Sequence, residues 1–357
     1  MSIKELFKLM KEKNASDLFL RMKSPPKMRI YSEVVSVGDK VLNEEIYTFI
    51  DELLDEEQKK KFYIEKDIDF AVYVEGLGRF RVSMFIQRGT PSMVIRRVRE
   101  EILSFEELNL PAEVFKKLCM EKRGLILVTG AAGSGKSTTI ASMIEYINNH
   151  KNAHILTVEE PIEFVYVDKK AIINQREIGL DVKDYQTALR QFVLQSPDVI
   201  YIANIRDKET MSTALTAAET GVLVFSTLHT INTYQTVERI VNFFPPHQHN
   251  QVLMQLSLLL KGVISLRLIK RKDKEGMIPA YEIMTLTPSV SRLLREGKVW
   301  EIPSYIEEGD IYGMKTFKRS LLELVKQGKI TPQDALMYAD SKEDMAIELR
   351  NIVDIQF

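Results

Sequence analysis

The sequence predicts a two-domain chain of the α/β class. A small α+β domain fills residues 1–98, a linker follows at 99–104, and an α/β domain with a helical carboxy-terminal part occupies 105–357. Three observations predict this. A length of 357 residues favours two cores over one. The early part of the chain alternates apolar and polar residues in strand-length runs. Beyond Gly124, short, wholly apolar runs recur between helix-length amphipathic segments, the pattern of a parallel sheet covered on both faces.

The first element is a helix: Ser2 and Glu5 have capping-box spacing, and Ile3, Leu6, Phe7 and Met10 line one face. Ile68, Phe70, Val72 and Val74 alternate with Asp67, Asp69 and Tyr73, and Phe80, Val82, Met84 and Ile86 with Arg79, Arg81 and Ser83. With Gly76-Leu77-Gly78 between them, these runs predict an antiparallel pair with one polar face. Pro111 opens a helical stretch that ends near Arg123. Leu125–Val128, Ile155–Val158, Val199–Ile202 and Leu223–Phe225 are the expected buried parallel strands. From about Pro245 the pattern is helical: Leu253, Leu256, Leu259 and Leu260 fall at helical spacing, Pro288 and Pro332 at helix starts, Gly297 and Gly328 at helix ends. Lys270-Arg-Lys-Asp-Lys274 is a solvated turn.

Composition narrows the function. Lysine and arginine number 49 against 50 acids, a net charge of -1, which argues against binding nucleic acid by phosphate neutralisation. A single cysteine, Cys119, forms no internal disulfide, suits a reducing compartment and reads as a buried small apolar residue. No run approaches the roughly 20 apolar residues that span a bilayer, and Met1–Lys13 lacks the apolar core of a secretory signal. The expectation is a cytoplasmic protein that inserts no segment into the membrane and reaches it only through a partner.

Gly130-Ala-Ala-Gly-Ser-Gly-Lys136-Ser137 fits G-x-x-x-x-G-K-S/T between the expected strand Leu125–Val128 and a helix over Thr138–Asn148. Glycines at 130, 133 and 135 allow the amides of Ala132, Ser134 and their neighbours to turn inward on phosphates. The helix start at Thr138 adds a positive end, Lys136 neutralises terminal phosphate oxygens, and Ser137 ligates Mg²⁺. At the end of the next strand, Glu159, Glu160 and Glu163 gather at the sheet edge where α/β folds bind ligands. Such acids orient water or hold a cation; a solvated acidic turn closed by Pro161 is the plainer alternative.

These motifs, with Gln175-Arg-Glu-Ile-Gly179, Arg206-Asp-Lys-Glu-Thr210, Ala217-Ala-Glu-Thr-Gly221 and Thr227-Leu-His-Thr230, resemble the secretion ATPases of type IV pili. More narrowly they resemble the PilT/PilU retraction ATPases. Ala15-Ser-Asp-Leu18, Gly78-Arg-Phe-Arg-Val82, Met93-Val-Ile-Arg-Arg97, Gly313-Met-Lys-Thr-Phe317 and Tyr338-Ala-Asp-Ser341 extend the likeness to nearly the whole chain, with the PilU branch somewhat closer. The resemblance implies a PAS-like amino-terminal domain, a RecA-like P-loop ATPase domain, ATP and Mg²⁺ as ligands, and a homo-hexamer. It also implies two partners, an inner-membrane pilus platform protein and a paralogous retraction ATPase. Arg81 and Arg96, alone readable as solvated strand arginines, match the two amino-terminal arginines that reach the phosphates in that family. His229 matches the histidine of the last box, and Pro288–Glu296 takes the place of a carboxy-terminal helix those motors need.

The chain departs from the family where water would be activated. The pattern P-D-x-I-x-x-G-E-I/M-R-D becomes Pro197-Asp-Val-Ile-Tyr-Ile-Ala-Asn-Ile-Arg-Asp207, placing Asn204 at the glutamate and Ala203 at the glycine. An amide hydrogen-bonds water but does not accept its proton. Leu194 replaces a second arginine and Val222 a histidine. The expectation is a pilus motor subunit with impaired hydrolysis; the alternative is a nucleotide-binding accessory acting with an active paralogue. A nucleic-acid translocase is disfavoured by the near-zero net charge.

Overall fold

The computed structural model describes residues 2–30, 33–39, 41–98 and 101–350. They form two compact units, one closing at Glu101 and one opening at Ile102, with Glu163–Val165 counted in the first. Arg99 and Glu100 of the expected linker, and Met1 and residues 351–357 at the ends of the expected domains, lie outside the described residues.

The first unit runs α1 (Ile3–Glu12), β1 (Asp17–Arg21), β2 (Lys27–Ile30), β3 (Glu33–Ser36), α2 (Glu45–Leu53), α3 (Glu56–Glu65), β4 (Asp67–Val74), β5 (Gly78–Gln87) and β6 (Thr90–Arg97). The strands form one antiparallel sheet ordered β3-β2-β1-β6-β5-β4. The capping box forms: Ser2 Oγ accepts from the Glu5 amide at 3.3 Å, and the Glu5 carboxylate accepts from the Ser2 amide at 2.7 Å. Ile3, Leu6, Phe7 and Met10 pack with Leu18, Leu20, Val82 and Ile95, so the helices cover one sheet face. The other face carries the intervening polar residues. There β-register aligns Arg29, Asp17, Arg96 and Arg81 as successive cross-strand neighbours.

The second unit runs α4 (Ala112–Cys119), β7 (Gly124–Thr129), α5 (Lys136–His150), β8 (His154–Glu159), β9 (Ile172–Glu177), α6 (Tyr185–Phe192), β10 (Val199–Ile202), α7 (Lys208–Glu219), β11 (Leu223–Leu228), α8 (Thr233–Val241) and α9 (His249–Leu259). It continues with β12 (Leu260–Lys270), β13 (Met277–Thr285), α10 (Pro288–Glu296), α11 (Ile302–Glu307), α12 (Phe317–Lys326), α13 (Pro332–Tyr338) and α14 (Lys342–Arg350). The sheet order is β13-β12-β7-β11-β10-β8-β9, parallel except for β13. Alternate residues of β7 feed opposite cores: Leu125 and Leu127 pack with α6, α7 and α9, and Ile126 and Val128 with α4 and α5. The sheet is therefore buried on both faces, which is why its strands read as continuous apolar runs.

Two expectations need correction. The carboxy-terminal third is not wholly helical, because β12 and β13 form a long hairpin that extends the sheet. A run such as Val263-Ile-Ser-Leu266 is equally compatible with a buried helix, and only pairing with β7 selects the strand. The helix opened by Pro111 stops at Cys119, short of Arg123. Lys270–Lys274 does form the hairpin turn, though Arg271 within it is buried and paired with Asp273 at 2.7 Å. Cys119 is fully buried, which pushes its thiol well above the usual range. Among the described residues no helix is long and apolar enough to cross a membrane.

Candidate functional site

The loop Gly130–Gly135 links the end of β7 to the start of α5. Gly130 has φ 144°, and a Cβ there would run into Ser134 Oγ and lie 2.6 Å from the Leu266 carbonyl oxygen. Only glycine fits that approach. Gly135 caps α5 in the left-handed region at φ 95°. The helix starts abruptly behind it, leaving first-turn amides directed at the loop. Ala132 and Gly133 are exposed, and Ser137 and Thr138 are half-buried on the first turn. Ser134 is 5% exposed, and its hydroxyl has no hydrogen-bond partner among the described residues. Lys136 Nζ donates to the carbonyl oxygens of Gly130 and Ala131, both at 2.8 Å.

The carboxyl ends of β8, β10 and β11 supply the facing groups. Glu159 is 5% exposed and accepts from Thr157 Oγ1 at 2.7 Å and Gln175 Nε2 at 3.1 Å. Glu160 is exposed and lies 3.5 Å from the Arg206 guanidinium. Glu163 is exposed and is counted with the first unit.

Asn204 sits in the left-handed region at φ 67°, a conformation that asparagine tolerates better than most residues. Its amide N–H donates to Thr227 Oγ1 at 3.0 Å. With its side-chain oxygen facing the guanidinium, it accepts from Arg206 Nη2 at 2.8 Å and Nε at 2.5 Å. His229 Nδ1 lies 3.5 Å from Lys136 Nζ. Partial desolvation and the cations Lys136 and Arg206 push this imidazole below its usual value of 6.5, favouring the neutral ring at neutral pH.

The structure therefore brings Lys136, Glu159, Glu160, Asn204 and His229 to one sheet edge. Asn204, Arg206, His229 and Glu238 line a cavity of about 430 Å³, and Gly130–Ser134 with Arg267, Tyr338 and Asp340 line another of about 540 Å³. Arg81 and Arg96 belong to the first unit, where they face each other across β5 and β6. Arg96 Nε donates to Asp17 Oδ1 at 2.9 Å, and Arg81 lies 3.8 Å from Asp69.

Arg206 and Tyr185 also reach this edge, through Glu160 and the Ala203 carbonyl, and neither is among the residues expected from the sequence. Arg206 stands two positions beyond Asn204 in a quoted motif, a signal that was available. Tyr185 lies in no motif; its hydroxyl donates to the Ala203 carbonyl at 2.5 Å, and burial, then the charge of Glu160, push its pKa up. Of the other departures, Leu194 is 84% exposed, whereas Val222 packs against the core and its carbonyl accepts from the Gly124 amide at 3.1 Å.

A strand, a glycine loop with its lysine and a helix, set at the carboxyl edge of a parallel sheet, define a P-loop nucleotide-binding domain. The chain belongs to the type II/IV secretion system protein family, whose model matches residues 64–320. It is 40% identical over 351 residues to the type IV pilus ATPase PilU of Pseudomonas aeruginosa, covering 98% of this chain and 92% of that one. The type IV pilus retraction ATPase PilT of the same organism is 42% identical over 336 residues, covering 94% and 97%. A crystal structure of the pilus retraction motor PilT with bound ADP superposes with a TM-score of 0.90 at 41% identity, covering 96% of this chain and 98% of that one. The fold is thus that of the PilT/PilU ATPases, an amino-terminal domain followed by a RecA-like ATPase domain. The PilU match extends over more of this chain than the PilT match, in keeping with the resemblance leaning that way.

Proposed function

We propose that this chain is an ATP-binding motor subunit of the type IV pilus machinery that powers or assists pilus retraction and twitching, with hydrolysis slowed at Asn204. It works as a homo-hexamer in the cytoplasm, held at the inner face of the cell membrane through the pilus platform protein. The observation that carries this reading is the intact glycine loop, with Lys136 held at its carbonyls and beside His229, while Asn204 rather than a carboxylate stands at the end of β10. The loop amides and the unpartnered Ser134 hydroxyl suit an anionic ligand.

On nucleotide binding, Lys136 exchanges the Gly130 and Ala131 carbonyls for phosphate oxygens. Ser137 would hold Mg²⁺, which would supply charge neutralisation at the phosphates. Glu159, fixed by Thr157 and Gln175, and the exposed Glu160 orient water near the phosphate. Asn204 positions water without taking its proton. His229 stays neutral and completes the polar wall. Arg81 and Arg96, from an amino-terminal domain at a subunit junction, offset charge on the transferring phosphoryl group.

The second reading is an accessory subunit that binds nucleotide and depends on an active paralogue for work. Asn204 favours it, because both faces of its chemistry, titration and access, are compromised. Steady-state ATP hydrolysis measured beside nucleotide affinity separates the two. Tight binding with slow turnover is expected. Rapid turnover ends the impaired-site reading, and no binding of adenine nucleotide with Mg²⁺ present ends both.

A further inference from the structure

The open face of the amino-terminal sheet is set by strand register. Lys27, Phe19 and Val94 are cross-strand neighbours in one row, and Arg21, Ser92 and Phe85 in the next. Cross-strand neighbours share a face, so Phe19 lies directly beside Lys27, Ser92 beside Arg21, and Val94 and Phe85 continue the two rows on the same face. A cavity of about 340 Å³ opens here, floored by Phe19, Phe85 and Val94 and rimmed by Arg21, Lys27 and Arg29. That size suits a small ligand.

Among the described residues no carboxylate lines the cavity. Arg29 is anchored, 3.4 Å from Asp17 and with its guanidinium 5.6 Å from the Phe19 ring centre. Arg21 and Lys27 make no ion pair among the described residues. Ser92 also lines the cavity, 3% exposed, and its hydroxyl has no hydrogen-bond partner among the described residues. Native folds rarely keep a buried hydroxyl unpaired. Register places it between Arg21 and Phe85, at the junction of cation and apolar wall.

We infer that this cavity binds a small amphipathic anion: a planar apolar body lying against Phe19 and Phe85, with a carboxylate, sulfonate or phosphate directed to Arg21 and Lys27. Ser92 donates its hydroxyl to the ligand. The site is separate in sequence from the glycine loop and does not depend on the reading of that loop.

The test uses the full chain with its glycine loop saturated by ADP and Mg²⁺. The probe is 8-anilinonaphthalene-1-sulfonate, compared with N-phenyl-1-naphthylamine, which has the same rings without the charge. Saturable binding is expected, with the sulfonate about tenfold tighter and its advantage shrinking as salt rises. Arg21→Gln with Lys27→Gln removes that advantage. Ser92→Ala weakens the sulfonate several-fold without lowering the melting temperature, since it removes an unpaired hydroxyl. Val94→Trp, at a half-buried position, fills the cavity and abolishes binding while the melt stays native-like. Equal affinity for both probes, indifference to these substitutions, or no saturable binding overturns the inference.

Discussion

Replacing Asn204 by glutamate tests the catalytic reading most directly. A positioned base contributes about 10²–10⁴-fold to a rate, which sets the ceiling on the gain. Arg206 reduces it, because with the side-chain oxygen at this position turned toward the guanidinium its Nη2 and Nε lie 2.8 and 2.5 Å away and would capture a new carboxylate. Arg206 is largely exposed, so that capture is worth up to about 1 kcal/mol, or roughly fivefold. Asn204→Glu should therefore raise steady-state ATP turnover at least about tenfold, and adding Arg206→Gln should raise it roughly fivefold further. Asn204→Gln, which lengthens the side chain without making it titratable, should gain nothing. The backbone adds a separate signature: at φ 67° glutamate costs about 1 kcal/mol more than asparagine, lowering the melting temperature by about 2–4 °C. A coupled ATPase assay and a thermal melt read both effects. If Asn204→Glu remains folded and binds nucleotide normally yet turns over no faster, the missing carboxylate is not what limits hydrolysis.

Three further outcomes follow from the same geometry. Gly130→Ala should destabilise the second unit by about 2–4 kcal/mol in denaturant titration, because the new Cβ meets the Leu266 carbonyl at 2.6 Å and that atom is backbone. His229 should titrate below 6.5 by NMR, and ADP should raise its midpoint by bringing negative charge beside Lys136. The folded ring binds its proton more weakly than the unfolded ring. Its contribution is therefore absent well above pH 6.5 and becomes destabilising as pH falls through 6.5, a dependence that His229→Gln should remove. Cys119 should resist thiol reagents until the protein unfolds, since burial keeps it protonated; prompt labelling of the native protein would contradict that.

The glycine loop was legible because its chemistry is contiguous: backbone freedom, lysine and helix start fall within Gly130–Ser137. The Ser2–Glu5 cap was legible for the same reason, three residues of separation being one helical turn. The buried strands of the second unit declared themselves as strands through unbroken apolarity. That same signal failed at β12, where an apolar run following α9 was indistinguishable from more helix until β7 and β13 were available to pair with it. Asn204 was visible as a departure from a motif, but its left-handed backbone and its placement against Arg206 came only with the structure.

Spacing along the chain settled whatever depends on dihedral preference and nearest neighbours: caps, the phosphate-type loop and the alternation of strand faces. Strand order and register decided the rest. Glu159, Asn204 and His229 converge because β8, β10 and β11 are adjacent, and Arg81 opposes Arg96 because of one particular pairing of β5 with β6. A one-residue slip would turn these side chains to the opposite face, and what forbids that slip is burial of the apolar face, an energy summed over residues far apart in the chain.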